Sequence, residues 1–237
     1  MKRTCAFIFS ALILAAASSA VYAGDSAAFE DMGFSADGKT YVFGQYGKTD
    51  KKFQAWAESF TVDVAGNVFV KNEVYKTEPS KKTAEISGKR AFDDLRQKTQ
   101  WKFAGYSLKP NTASNLIYLR ENEKKNAEEE ITFQCFDEST EEKAVFYSIR
   151  LIPEFEGSGK NVKSKFYLLV KKTSSDGTVL GTWKVGTPEL KRKGISSYTV
   201  DKIFMSDDLK SLVIVVQKTL EDDTGTSIRY MVETLRF

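Results

Sequence analysis

Short runs of β-branched and aromatic residues, each closed by a Gly, Asn or Asp turn, recur from Thr40 to the C-terminus of this chain. That punctuation predicts strands joined by tight turns and leaves room for one helix. Asp37-Gly38 is a strong turn signal, and Thr40–Phe43 reads as the strand leaving it. Ala55–Val64 alternates through Trp56, Phe60, Val62 and Val64, turns at Ala65-Gly66-Asn67 and returns at Val68–Val70. Further strands are expected at Asn115–Arg120, Ile131–Phe136 and Lys143–Ile152. The pair Lys165–Lys172 and Thr178–Val185, closed by Ser174-Ser-Asp-Gly177, is the cleanest hairpin. Gly186–Ser197 reads as a loop around Pro188, and Lys202–Gln217, with a turn near Ser206–Lys210, precedes a last strand at Ile228–Phe237. Between these runs, Lys81–Phe103 is rich in Lys, Glu, Ala, Arg and Gln. Ser87 suits an N-cap, Arg90–Lys98 is the best helical stretch, and Phe92 and Leu95 would pack the helix on a sheet. The expected fold is therefore mainly β, with antiparallel meanders in a partial propeller-like or two-sheet architecture and one amphipathic helix.

The N-terminus carries an address. Lys2 and Arg3 precede an uncharged run from Cys5 to Ala17, and Ala20-Val21-Tyr22-Ala23 supplies small residues before Gly24-Asp25. This is the pattern of a secretory signal peptide over residues 1–23, cleaved between Ala23 and Gly24. The strongly apolar core, Ala6–Ala17, is too short for a membrane span and has no basic stop-transfer cluster behind it. Cys5 lies at the wrong end of the run for lipidation at the cleavage point. Residues 24–237 would then form a single β-rich domain, periplasmic or extracellular, with Gly24–Phe29 as a short mobile leader. That length is enough for a proper core.

Composition narrows the chemistry. Cleavage removes Lys2 and Arg3 from 35 basic residues, leaving 33 against 32 acidic ones, a net charge of +1. A near-neutral chain lacks the basic footprint of a nucleic-acid binder. Cys5 departs with the signal, so Cys135 has no partner for an internal disulfide. Alternation places Cys135 with Ile131 and Phe133 on one strand face, where a buried thiol is expected. The chain contains no His. That removes the usual general base, the activator of Ser and Cys nucleophiles and the commonest transition-metal ligand. No cofactor motif is present. Carboxylate chemistry survives, with acidic pairs at Asp93-Asp94, Asp207-Asp208 and Glu221-Asp222-Asp223, each also explained as solvated surface. Asp222–Thr226 lacks the spacing of a calcium loop and reads as a hairpin tip. Trp56, Trp101 and Trp183 suit a β-rich core, and Tyr46, Tyr106 and Tyr198 lie beside loops where they would pack in the core or line a groove.

One internal echo stands out. Phe34-Ser-Ala-Asp-Gly-Lys-Thr-Tyr-Val-Phe43 and Met205-Ser-Asp-Asp-Leu-Lys-Ser-Leu-Val-Ile214 share Ser, Asp, Lys, a hydroxyl residue and three apolar residues in register. The unit resembles the outer turn of β-propeller blades, as in WD-type proteins and in a periplasmic protein that supports outer-membrane integrity. Its residues are accounted for as a tight turn, in which Gly38 can take positive φ; a site role for Asp37, Gly38, Asp207 and Asp208 is the functional alternative. Over the whole chain, "FEDMGFSADGKTYVFGQYG", "AWAESFTVDVAGNVFV", "SDDLKSLVIVVQK" and "SIRYMVETLRF" are similar to a bacterial family of predicted secreted proteins of unknown function. The resemblance implies export and a β-rich fold, and no activity or catalytic residue transfers with it.

These readings lead to an exported, non-enzymatic cell-envelope protein that binds a protein or glycan partner, without nucleic acid and without a membrane span after cleavage. A carboxylate-dependent glycan hydrolase and a purely structural envelope component are the alternatives.

Overall fold

The computed structural model describes residues 25–121, 130–136, 144–223 and 225–237. The expected signal segment with its Ala23-Gly24 junction, and most of the charged Glu121–Glu130 stretch, lie outside the described residues. The strands form three antiparallel sheets, one more than the two-sheet alternative. The first is a meander of β1 (Ala28–Phe34), β2 (Thr40–Lys48), β3 (Ala55–Asp63) and β4 (Val68–Thr77). The helix α1 (Gly88–Phe103) follows. Strand β5 (Leu116–Leu119) then joins β11 (Ile195–Met205), β12 (Ser211–Asp222) and β13 (Gly225–Arg236) in a second sheet. The third sheet holds β6 (Ile131–Phe136), β7 (Ala144–Glu156) and β8 (Lys163–Ser174), with β9 (Val179–Val185) and the short β10 (Arg192–Lys193) both on the far edge of β8.

The sheets stack face to face as layers, in the order helix, first sheet, second sheet, third sheet. Strand β12 shows why. Leu212, Ile214 and Val216 enter the core against the third sheet, while Val213 and Val215 enter the core against the first. A strand buried on both faces reads as a continuous apolar run, which is what Leu212–Val216 is. Phe34, Tyr41, Phe43 and Val62 complete the first interface; Val145, Ile149, Phe166, Leu168 and Val170 complete the second. Removing such side chains from water contributes about 2 kcal/mol each.

The helix covers the remaining face of the first sheet. Ser87 caps it as expected, its Oγ accepting the Arg90 N–H at 3.1 Å. Ala91, Phe92 and Leu95 pack on Ala55 and Ala57, whose small side chains let the helix approach. Gly44 is required there, because a Cβ at that position would lie 2.1 Å from the Phe92 ring.

Several expectations are corrected. The segment before Phe29 is anchored rather than mobile: Ser26 bridges Ile228, the Ala27 N–H donates to the Ile228 carbonyl, and β1 begins at Ala28. The anchor is Asp25, 7 % exposed, whose Oδ2 accepts from Trp56 Nε1 at 2.9 Å and from Arg229 Nη2 at 2.6 Å. Both partners are distant in sequence, so local composition did not reveal them. Gly186–Ser197 is shorter as a loop, because β10 pairs with β8 and β11 already starts at Ile195. The return strand at Val68 runs on to Thr77.

The open edge of β13 is blunted. The outward N–H groups of Ile228, Tyr230 and Thr234 donate to the Asp25 carbonyl, Gln45 Oε1 and Asn67 Oδ1 at 2.9, 2.9 and 2.8 Å. The Asp25 carbonyl and the side chains of Gln45 on β2 and Asn67 in the β3–β4 turn thus occupy positions where a foreign strand would pair. Among the described residues, nothing comparable covers the edge of β4. No helix of the described residues is long and apolar enough to cross a membrane.

Candidate functional site

The two echo turns come together in space. In the first, Ser35 Oγ donates to Asp37 Oδ1 at 2.7 Å, that oxygen accepts the Lys39 N–H at 3.1 Å, and the Thr40 N–H donates to Ser35 Oγ at 2.9 Å. In the second, Ser206 Oγ donates to Asp208 Oδ1 at 2.5 Å, Asp208 accepts the Lys210 N–H at 3.1 Å, and the Ser211 N–H donates to Ser206 Oγ at 3.0 Å. The position after the Asp is left-handed in both, at φ +66° for Gly38 and +55° for Leu209. Asp37 therefore matches Asp208, and Asp207 occupies the place of Ala36. A third copy closes the β8–β9 hairpin: Ser174 Oγ donates to Asp176 Oδ1 at 2.5 Å, the Thr178 N–H follows at 2.9 Å, and Gly177 has φ +87°. Each sheet thus carries one such turn. The Ser-x-Asp spacing of the third was visible in the sequence as a turn but not as a copy, because Thr178 stands in place of the Lys and Val179 in place of the hydroxyl residue.

Arg236 clamps the first two turns together. Its guanidinium donates to the carbonyls of Asp37 and Gly38 at 3.3 Å each, to Asp208 Oδ2 at 2.9 Å and to Ser211 Oγ. Ser211 Oγ also donates to the Gly38 carbonyl at 2.6 Å. Asp207 faces a neighbouring cleft, accepting from Asn115 Nδ2 at 2.9 Å and standing 3.8 Å from Lys109 Nζ. That cleft, bounded by Phe34, Ser35, Pro110 and Asn115, has a volume of about 30 Å³, which suits a water and not a sugar or peptide.

Electrostatics agree with a turn role. The Ser35 hydroxyl, with the Lys39 amide, holds the Asp37 carboxyl below its usual range. Burial pushes Asp208 up, but the Ser206 hydroxyl, the Lys210 amide and Arg236 together outweigh it and leave that carboxyl lowered too. Both are held ionised as acceptors, opposite to the raised pKa that a general acid needs.

The other candidates disperse. Asp93 and Asp94 lie on the helix surface, paired with Lys89 at 2.6 Å and Arg90 at 3.0 Å. Glu221 and Asp222 end β12 at the β12–β13 hairpin, and Asp223 pairs with Lys160. Tyr198 is buried on Phe166, Tyr46 packs on Phe92, and the Tyr106 hydroxyl donates to Glu73, so they share no groove. Trp56 and Trp183 pack inward, whereas Trp101 is 65 % exposed with Lys102 over its ring. Cys135 is buried with Ile131 and Phe133 at its side, and burial pushes its thiol up, away from reactivity. Among the described residues, no group of three or more Cys, Asp or Glu side chains is placed to hold a metal ion.

A second cleft, about 180 Å³, was not foreseen. It lies where β3 and β4 overhang β13 and is lined by Asp25, Trp56, Glu58, Lys76 and Arg229. Two ion pairs line it: Lys76 with Glu58 at 2.7 Å, and Arg229 with Asp25 while its guanidinium lies 4.2 Å over the Trp56 ring. Along β4 the same face continues with Val74 and Phe69, the latter 52 % exposed, while Val68, 56 % exposed, points to the opposite face. Only pairing across three strands brings these residues together, so no sequence window contains the cleft.

No curated protein and no solved structure matches this chain. A family model does, over residues 42–236, which spans β2 to β13 and so all three sheets. The family's description agrees with the export expected from the N-terminal sequence. The chain belongs to the family described as "Predicted secreted protein (DUF2259)".

Proposed function

We propose that this is a non-enzymatic binding protein of the cell envelope, a single β-rich domain once its signal peptide is removed, which holds an extended segment of a protein partner along β4. The observation that carries this reading is the contrast between the two edges: β13 is plugged by side-chain acceptors, while β4 is open, bears exposed Val68, Phe69 and Val74, and runs into the Trp56 cleft. Backbone groups of an edge strand supply affinity to an added strand, and flanking apolar side chains supply specificity. The paired charges at Glu58–Lys76 would orient the segment's end. A glycan is less well served, because Trp56 is covered by Arg229 and offers no open ring face. The hydrolase alternative loses support from the lowered Asp37 and Asp208 and the small cleft beside them. The turn shared by all three sheets favours reading them as propeller-like blades, with Asp37, Gly38 and Asp208 as turn residues and Asp207 at the cleft. The test is retention of envelope proteins on the immobilised chain, compared with a Phe69→Glu/Val74→Glu variant. A partner kept by the wild type and released at least tenfold by the variant is expected. Equal retention by both, or no retained protein from periplasmic or outer-membrane fractions, refutes the reading.

A further inference from the structure

The layers leave one sheet face bare. The helix covers the first sheet and the second is covered on both sides, but among the described residues nothing covers the outer face of the third. Its four strand positions hold 6 residues in β6, 13 in β7, 12 in β8, and 7 and 2 in β9 and β10, so at about 3.3 Å per residue and about 4.8 Å between strands this face measures roughly 630 Å². That lies at the lower end of one side of a standard interface.

We propose that this face docks on an anionic lipid bilayer. The proposal is independent of the β4 reading, since β4 belongs to the opposite end of the stack. Register places the side chains. Leu169 on β8 lies opposite Arg150 on β7 and Lys184 on β9, with Lys171 one outward position further along. Arg150 and Lys184 are thus two strand spacings, about 10 Å, apart, and Lys171 sits diagonal to both. Among the described residues none of the three has an ion-pair partner, and all three are exposed. Among the described residues, the acidic side chains of this face lie at the far end of β7 and are neutralised: Glu154 by Lys165 at 3.3 Å and Glu156 by Lys191 at 2.7 Å. Three unpaired cations about one Debye length apart repel one another, and an anionic surface relieves that repulsion.

Apolar groups share the face. Phe146 and Leu180 are 40 % and 44 % exposed, Phe136 is 64 % exposed, and Ile152, Tyr167 and Leu169 fill the centre, with Lys184 Nζ 4.2 Å over the Tyr167 ring. Exposed apolar side chains beside snorkelling cations match the headgroup boundary of a bilayer; a hydrated soluble polyanion would leave them in water. A second copy of this chain would set the same three cations against each other across a two-fold axis, so charge opposes a dimer here.

The test is co-sedimentation of the full exported chain with vesicles of phosphatidylcholine alone and with one-third phosphatidylglycerol, beside a dextran sulfate arm. Partitioning onto the anionic vesicles at least tenfold above neutral ones is expected, abolished at high salt. Each cation near the surface is worth about fivefold, so Arg150→Glu/Lys171→Glu/Lys184→Glu should weaken partitioning about a hundredfold or more. Phe146→Ser should weaken it on vesicles and leave dextran sulfate binding unchanged. All four positions are surface sites, and an unchanged thermal melt shows that the variants fold. Binding to dextran sulfate but not to vesicles overturns the bilayer in favour of a soluble polyanion. Equal partitioning to neutral and anionic vesicles, or no effect of the triple reversal, overturns the proposal.

Discussion

Arg236→Ala should show how far the first and second sheets depend on the clamp between their turns. The side chain is 17 % exposed and its strongest bond goes to the 36 % exposed carboxylate of Asp208. A charge-assisted bond is worth roughly 1.5–3 kcal/mol when well buried, and solvent at Asp208 reduces this to about 1 kcal/mol. The two carbonyl contacts at 3.3 Å are long, and Ser211 keeps the Gly38 carbonyl satisfied after the loss. Adding about 1 kcal/mol for the packed arginine stem gives a total near 2 kcal/mol. For a chain of this size that lowers the melting temperature by about 6 °C. Urea denaturation of wild type, Arg236→Ala, Asp208→Asn and the double variant should give a coupling energy of about 1 kcal/mol. The sign of the pH dependence follows from Asp208. Its folded pKa is lowered, so its contribution is present above the unfolded value of 3.8 and disappears as the pH falls through the folded value. The difference between wild type and Arg236→Ala should therefore shrink from about 2 to about 1 kcal/mol below pH 3.8, the remainder being the packed arginine stem. A loss smaller than about 0.5 kcal/mol, or a difference that ignores pH, would show that the turns hold without the clamp.

Four further outcomes are expected. Leu209 carries φ +55° where the first turn has glycine, so Leu209→Gly should raise stability by about 0.5–1 kcal/mol in urea titrations, the relieved strain exceeding the added chain entropy. Asp25→Ala strands Trp56 Nε1 and Arg229, and should cost about 3 kcal/mol by the same assay while exposing the N-terminal segment to proteolysis. Gly44→Ala drives a Cβ into the Phe92 ring and should cost about 2–3 kcal/mol, with loss of helical circular dichroism before the sheet signal. Burial raises the Glu233 carboxyl despite its bond from Asn67, so its contribution is present below 4.5 and lost as the pH rises through the folded value. Glu233→Gln should therefore be more stable than wild type in thermal melts at pH 7, with the gain vanishing as the pH falls toward 4.5.

Much of the fold was legible along the chain. The Ser87 cap, the Phe92 and Leu95 contacts and the hairpin around Gly177 are local events, set by residues within a few positions of one another. The inward set of β6, with Ile131, Phe133 and Cys135, followed from alternation alone. Alternation fails at Leu212–Val216, where burial on both faces removes the polar half of the pattern, so the middle layer was hidden. The candidate site was half legible. The Ser-x-Asp spacing marked two turns, yet their contact through Arg236 joins residues about two hundred positions apart.

The sequence alone determined the address, the absence of histidine chemistry, the lone buried thiol and the strand-and-turn grammar, because each depends on residue identity or on neighbours in the chain. Tertiary structure decided how the strands divide into three sheets, that Asp25 anchors the start of the described chain, that β13 is sealed while β4 is open, and that Arg150, Lys171 and Lys184 share one bare face. These outcomes depend on which strands lie side by side. Register brings together side chains from distant segments, and their charge and burial acquire meaning only there.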